Sequence, residues 1–347
     1  MTNRDLTCPL PLPADTVQLA HGGGGRVMRD LLERTLLPAF AHPTLEARHD
    51  AALLPRPGGR LAFTTDTFVV QPRTFPGGDI GELAVYGTVN DLAMGGATPL
   101  WLSCALVLEE GLPLGELERV VASMARAAAR CGVAIVTGDT KVVDRGHGDG
   151  LYINTAGIGV VPDGPAISPK AVRPGDAVLV SGDLGRHGVA VLSVREHLAF
   201  ETPVVSDCGP VHGLVAALQA GGLDLHGLRD PTRGGLASVL NEIALDAGLA
   251  IEVAERDIPI HDAVAAACEI LGLDPLYVAC EGRFVAFLPA DQADQALDLL
   301  RAHPEGAGAA CIGHVLEGPP GAVHLRTRLG TRRLLDLLSG EQLPRIC

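Results

Sequence analysis

The sequence predicts an α+β protein of two domains, and three observations carry that prediction. Its 347 residues suffice for two separate hydrophobic cores. In both halves, short β-like apolar runs alternate with longer stretches of helical spacing. Between the halves, Pro162, Gly164, Pro165, Pro169, Pro174 and Gly175 cluster into the clearest linker of the chain. Hydrophobic residues make up 47% and charged ones 20%, the balance of a well-buried chain and not of a disordered one. Aromatic residues are only 3%, so the cores must be built from Ala, Val, Leu and Ile.

In chain order, residues 1–20 are interrupted by proline and read as loose. The run His21-Gly22-Gly23-Gly24-Gly25 then leads into Arg26–Glu33, which has helical spacing, and 1–45 is set apart as an N-terminal segment. In a first domain, 46–161, β-like runs are expected at Leu61–Thr65, Leu100–Leu108, Val133–Thr137 and Tyr152–Val161, with helices over Gly81–Met94 and Leu114–Cys131. A second domain, 175–328, opens with the strand Ala177–Ser181. Helical stretches follow near 186–198, 210–220, 234–248 and 261–272, with β-like runs at 249–254, 283–288, 309–315 and 322–326. In the last segment, 329–347, Arg332–Leu338 reads as a final amphipathic helix stopped by Ser339-Gly340. From Glu341 the chain then reaches ~23–25 Å as a flexible tail ending in a thiol, Cys347.

Forty-one acidic residues against 27 Lys and Arg give a net charge of −14, with no basic run. That excludes a nucleic-acid groove or an anionic membrane surface as the target. The eight cysteines form no CxxC pair and several sit in apolar runs, which predicts buried thiols in a reducing cytosol. No leader pattern and no apolar stretch near ~18 residues is present, so a cytoplasmic protein is expected. The histidines show no zinc-ligand spacing.

Chemistry is suggested at several points. A cysteine on a chain end is poorly suited to a core and well suited to carry a group. Three acids share one form, a β-like or helical run ending in Asp beside small polar residues: Asp66, Asp91 and Asp139. Carboxylates so placed bind Mg²⁺, while hydroxyls and backbone N–H groups take phosphate oxygens. Turn aspartates or helix caps are the structural alternative. Thr140 and Lys141 directly follow the third acid, and Asp50 is a weaker fourth. Gly22, Gly23, Gly24 and Gly25 suit a lid over a nucleotide or a plain connector, since no GxxxxGK[ST] is present. Asp230 and Arg233 flank a tight turn that opens a helix. Glu281 lies between apolar stretches, where partial desolvation raises a carboxyl pKa and suits proton abstraction; a surface turn is the alternative.

Taken together, these segments resemble the HypE family of hydrogenase maturation proteins, in the PurM-like (aminoimidazole ribonucleotide synthetase) superfamily. The matching pieces are Gln18–Gly25, Thr65-Asp66-Thr67, Phe75–Gly81, Gly87–Ala93 and Leu108–Pro113. They continue with Gly138-Asp139-Thr140-Lys141-Val142-Val143, Val205-Ser206-Asp207-Cys208, Arg229–Gly235, Cys280-Glu281-Gly282 and the terminal Pro344-Arg345-Ile346-Cys347. Gly24 and Cys280 depart from the usual family pattern. The resemblance implies a PurM-like fold whose first domain contributes strands to a barrel shared in a homodimer. It implies that a carbamoyltransferase, HypF, loads Cys347 with a carbamoyl group. The chain would dehydrate that S-carboxamide with ATP to a thiocyanate, and the cyano group would pass to iron on a HypC–HypD scaffold for NiFe hydrogenase. Asp66, Asp91 and Asp139 would hold Mg²⁺, Lys141 the migrating phosphoryl group, and Glu281 would remove N–H protons. Selenophosphate synthetase is the enzymatic alternative, although Cys8 lacks a following lysine. A non-enzymatic, metal-carrying adaptor is the other.

Overall fold

The structure, a computed structural model, describes residues 15–48, 50–198, 203–337, 343 and 345–347. Cys8, His49, the expected Ser339-Gly340 stop and Pro344 lie outside the described residues. Residues 15–20 are not loose. Val17 is fully buried, and its N–H donates to the Leu112 carbonyl at 2.7 Å while its own carbonyl accepts from Gly111 N–H at 2.8 Å. The first helix, α1 (Arg26–Leu31), starts after the glycine run.

The first domain is a four-stranded sheet with helices on one face. Its elements are β1 (Arg60–Phe68), α2 (Ile80–Met94), β2 (Thr98–Glu109), α3 (Leu114–Cys131), β3 (Ala134–Val143) and β4 (Leu151–Val161). The strand order is β1-β4-β2-β3. Only β2 and β3 run parallel, because the long crossover helix α3 separates them. Gly132, at φ +67°, ends α3 in the left-handed conformation that costs glycine least. On β2, Leu102, Cys104, Leu106 and Leu108 bury one face of the sheet. Among the described residues, nothing covers the opposite face. On β1, Leu61 and Phe63 stand 64% and 71% exposed on that side.

The second domain carries β5 (Asp176–Val180), α4 (Arg186–Arg195), α5 (His212–Ala220), β6 (Gly227–Arg229), α6 (Gly235–Ala247), β7 (Ala250–Ala254), α7 (Asp262–Leu271), β8 (Val285–Pro289), α8 (Ala293–Arg301), β9 (Ala310–Leu316), β10 (Ala322–Arg326) and β11 (Arg332–Leu334). They form a seven-stranded sheet ordered β11-β10-β7-β9-β5-β8-β6. Every residue of β5 is buried, with α6 packed on one face and α5 and α8 on the other. Among the described residues, no helix is long and apolar enough to cross a membrane.

Two further expectations need correction. The apolar run at Arg332–Leu338 is not a helix: Arg332–Leu334 pairs antiparallel with β10, and Leu338 lies outside the described residues. A tight turn closed by Thr327 and Thr331, with Gly330 at φ +83°, folds the chain back as a hairpin. Leu335 alone is then buried, which a strand edge provides without a helical face. Neither Asp66 nor Asp139 ends a strand: both lie inside, because β1 extends to Phe68 and β3 to Val143. Helix α8 and the short strand β6 carried no expectation.

Candidate active site

The two domains meet over a polar cavity of about 780 Å³. Strand β1 supplies Asp66, α2 supplies Asp91, the turn before α6 supplies Asp230 and Arg233, and the turn before β8 supplies Glu281. Cys347 lines the same cavity. The two domains are tied together directly beneath it by Asn90, a buried amide on α2. Its Nδ2 donates to the Gly209 carbonyl at 3.0 Å, and its Oδ1 accepts from Val211 N–H at 2.8 Å. Asn90 carried no expectation of its own; its signal is an amide beside Asp91 in a helix rich in apolar residues.

The acids crowd one another. Thr64 Oγ1 donates to Asp91 Oδ2 at 2.9 Å, and Thr67 N–H to Asp66 Oδ1 at 2.8 Å. Arg233 Nη2 stands 3.6 Å from Asp66 Oδ1. Even so, burial pushes both carboxyls above their ordinary range, and at Asp91 the charge of Asp66 adds to it. Burial, then the charge of Asp91, pushes Asp230 up to about 7. Glu281 is 4% exposed, and its Oε1 is buried with no hydrogen-bond partner among the described residues. Burial first, then Asp230 and Asp207, raise its pKa well above the carboxylate range. The turn that holds it needs glycine next: a Cβ at Gly282 would stand 1.9 Å from the Asp207 carbonyl oxygen. Cys280 leaves Glu281 unaffected by hydrogen bonding, because its Sγ accepts from Gly185 N–H at 3.1 Å instead.

The tail enters the cavity beside the chain that follows β1. Val69 N–H donates to the Cys347 carbonyl at 3.1 Å and Gln71 N–H to the Arg345 carbonyl at 3.2 Å. Arg345 also pairs with Asp149 at 2.7 Å. Cys347, half-buried, thus lines the same space as Glu281 and the acids.

The remaining expected residues stand elsewhere in the protomer. Along the sheet, Asp66 is opposite Thr155, Thr155 opposite Cys104, and Cys104 opposite Gly138. Asp139 falls one residue later, opposite Ala105 and in line with Asn154 and Thr67. Side chains alternate along a strand, so Asp139 and Lys141 belong to the opposite face from Asp66, about three strand spacings or ~14 Å across the sheet. There Lys141 pairs with Asp139 and holds its carboxyl below the ordinary range. Asp139 and Thr140 border a second, mainly apolar cavity of about 330 Å³ beneath the N-terminal helices. Gly22 packs on β3, since a Cβ there would meet Val142 N at 2.7 Å. Gly23, Gly24 and Gly25 lie exposed before α1, and Asp50 is exposed; none of the five borders either cavity.

Among the described residues, no three acidic, histidine or cysteine side chains are close enough to hold a metal ion unaided. The donor set nevertheless fits a hard divalent cation. Asp66, Asp91 and Asp230 are oxygen ligands lining one cavity, the donor type that a hard divalent cation takes. Asp139, expected as the third metal carboxylate, does not border this cavity within the protomer, whereas Asp230 does.

Residues 48–161 match the AIR synthase related protein, N-terminal domain, and residues 173–326 match its C-terminal domain. The carbamoyl dehydratase HypE of Azotobacter vinelandii is 51% identical over 338 residues, covering 97% of this chain and 99% of that protein. The chain belongs to the HypE family. A crystal structure of hydrogenase maturation protein HypE in complex with ATP is 49% identical, with a TM-score of 0.92 over 95% of this chain and 99% of that one. The HypE of a HypE–HypF complex is 44% identical, with a TM-score of 0.78 over 90% of this chain and all of that one. HypE thus shares the two-domain α+β architecture described here.

Proposed function

We propose that this chain is an ATP-dependent carbamoyl dehydratase whose substrate is carried on its own Cys347. The observation that carries the reading is the place of Cys347, in the cavity that also holds Glu281 and the acids. A carboxamide oxygen is a poor leaving group. It becomes a good one when it attacks the γ-phosphate of ATP, giving ADP and a phosphorylated imidate on sulfur. Loss of phosphate and of the remaining N–H proton then leaves S–C≡N. Glu281, as the carboxylate, takes one amide proton and the departing phosphate takes the other; the burial that raises the proton affinity of Glu281 strengthens it as a base. A magnesium ion at Asp66, Asp91 and Asp230 supplies charge neutralisation for the polyphosphate when bound. Arg233, at the cavity rim, adds a guanidinium for phosphate oxygens.

A second copy completes the arrangement. The open face of the first-domain sheet, with Leu61 and Phe63 exposed, fits the same face of another protomer. Joined there, two sheets close into one barrel, and Lys141 and Asp139 of one protomer serve the cavity of its partner. Lys141 then holds the phosphoryl group in transfer. The carbamoyl group comes from HypF, a pairing supported by the solved HypE–HypF complex. The cyano group passes to iron on HypC–HypD, in the cytosol.

Intact mass spectrometry tests the reaction. Incubation with carbamoyl phosphate, ATP and HypF should add one carbamoyl group, then remove one water. A carbamoylated mass that persists while ATP is hydrolysed would reject it.

A further inference from the structure

Cargo on Cys347 changes twice, from thiol to carboxamide to thiocyanate, yet the tail must be seated in the cavity each time. A holder that read the side chain would favour one of the three states. The contacts that α4 makes with the tail read its backbone instead. His187, on α4, is fully buried, and its Nε2 lies 2.8 Å from the Ile346 carbonyl oxygen. Its Nδ1 lies 2.9 Å from Ser206 Oγ. The ring edge stacks T-shaped on Phe75 with centroids 5.1 Å apart, so the imidazole is fixed on three sides.

The proton positions follow from what each partner is able to do. A carbonyl only accepts, so Nε2 carries the hydrogen. Burial lowers the His187 pKa and keeps the ring neutral, so Nδ1 accepts from the Ser206 hydroxyl. Ser206 Oγ in turn accepts from Cys208 N–H at 3.0 Å, which aims its hydroxyl hydrogen at the ring. The chain of donors runs one way, from Cys208 through Ser206 and His187 to the tail. At the other end of α4, Arg195 Nη2 donates to the Arg345 carbonyl at 2.7 Å and Arg195 Nε to the Gln71 carbonyl at 2.9 Å.

We propose that His187, oriented by Ser206 and assisted by Arg195, is a positioning residue that latches the tail by its backbone carbonyls and is indifferent to the group on Cys347. Undocking the tail toward a partner strips a buried donor of its acceptor, so the latch sets how long the thiol stays in the cavity. The proposal rests on the carrier reading of Cys347, but its test does not use the reaction.

Iodoacetamide alkylation of the full chain is followed peptide by peptide, with half-buried Cys311 of β9 as the internal reference. Loss of one such hydrogen bond should raise the Cys347 to Cys311 rate ratio about 5-fold in His187→Leu and about 2-fold in Ser206→Ala. His187→Gln, whose amide N–H reaches a carbonyl, should stay within about 2-fold of the parent chain. ATP affinity should be unchanged in all three. General loosening would accelerate both cysteines together, leave the ratio at the parent value, and overturn the latch. If His187→Leu does not fold, an unchanged ratio in Ser206→Ala overturns it alone. A chain that latches normally but never loses water from its carboxamide would count against the carrier reading and not against the latch.

Discussion

Asp66 and Asp139 sit in the same local sequence, a Thr-Asp-Thr and a Gly-Asp-Thr within a strand, yet they meet opposite fates. Asp66 faces α2 and the cavity, where burial raises its pKa. Asp139 lies on the open face, where Lys141 lowers its pKa. The difference is one step of strand parity, since a single residue turns a side chain from one face of a sheet to the other. A motif therefore names a chemistry, while the register decides which side of the molecule receives it.

The largest effect should come from the cavity side. Cys347→Ala is expected to abolish carbamoyl acceptance altogether while leaving ATP affinity within about 2-fold, measured by calorimetry, because no acid of the cavity is touched. Loss of nucleotide binding in that variant would merge two features held apart here. Next in size is a test that joins the two faces. Glu281→Gln and Lys141→Ala should each reduce thiocyanate formation at least about 100-fold. Mixing the two as exchanged dimers should restore about a quarter of the parental rate, since half the dimers are mixed and each has one whole site. No recovery on mixing would mean that Lys141 serves its own protomer's cavity.

Stability against pH sharpens the contrast further. The carboxyl of Asp230 holds its proton up to about 7 in the folded chain, against 3.8 for an ordinary aspartate. Between those values the folded state binds more protons than the unfolded state. Without nucleotide or divalent cation, stability should therefore be highest near the lower value and fall as pH rises through the upper one, by about 1 kcal/mol after solvent screening. Asp230→Asn should flatten that slope in denaturant titrations, and a slope unchanged by the substitution would reject the assignment. The smallest effect belongs to the open face, where Lys141→Ala should shift stability by less than about 0.5 kcal/mol, as for other exposed ion pairs.

Much of this was legible in the residues. The limits of α3 follow from its amphipathic spacing and Gly132, and Asp66, Asp91, Asp230, Arg233, Glu281 and Cys347 of the cavity carried expectations apart from their mutual arrangement. Three things were not legible. The Arg332–Leu338 run contains helix-forming leucines, but pairing with β10 outweighs their propensity, and its turn signal is a single glycine. The placing of Asp139 was hidden because parity in β3 depends on an irregularity between Leu102 and Ser103, where the pairing on β3 skips a residue. His187 gave no signal either, since an isolated histidine at a helix start has no partner in sequence; its partners come from residues 19 and 159 positions away.

Asn90 bolts the two domains to each other at the floor of the cavity. A cleft fastened in that way has no hinge on which to gape. Snapshots of the protein at successive stages of turnover should superimpose throughout both lobes, with the last few residues of the chain as the moving part.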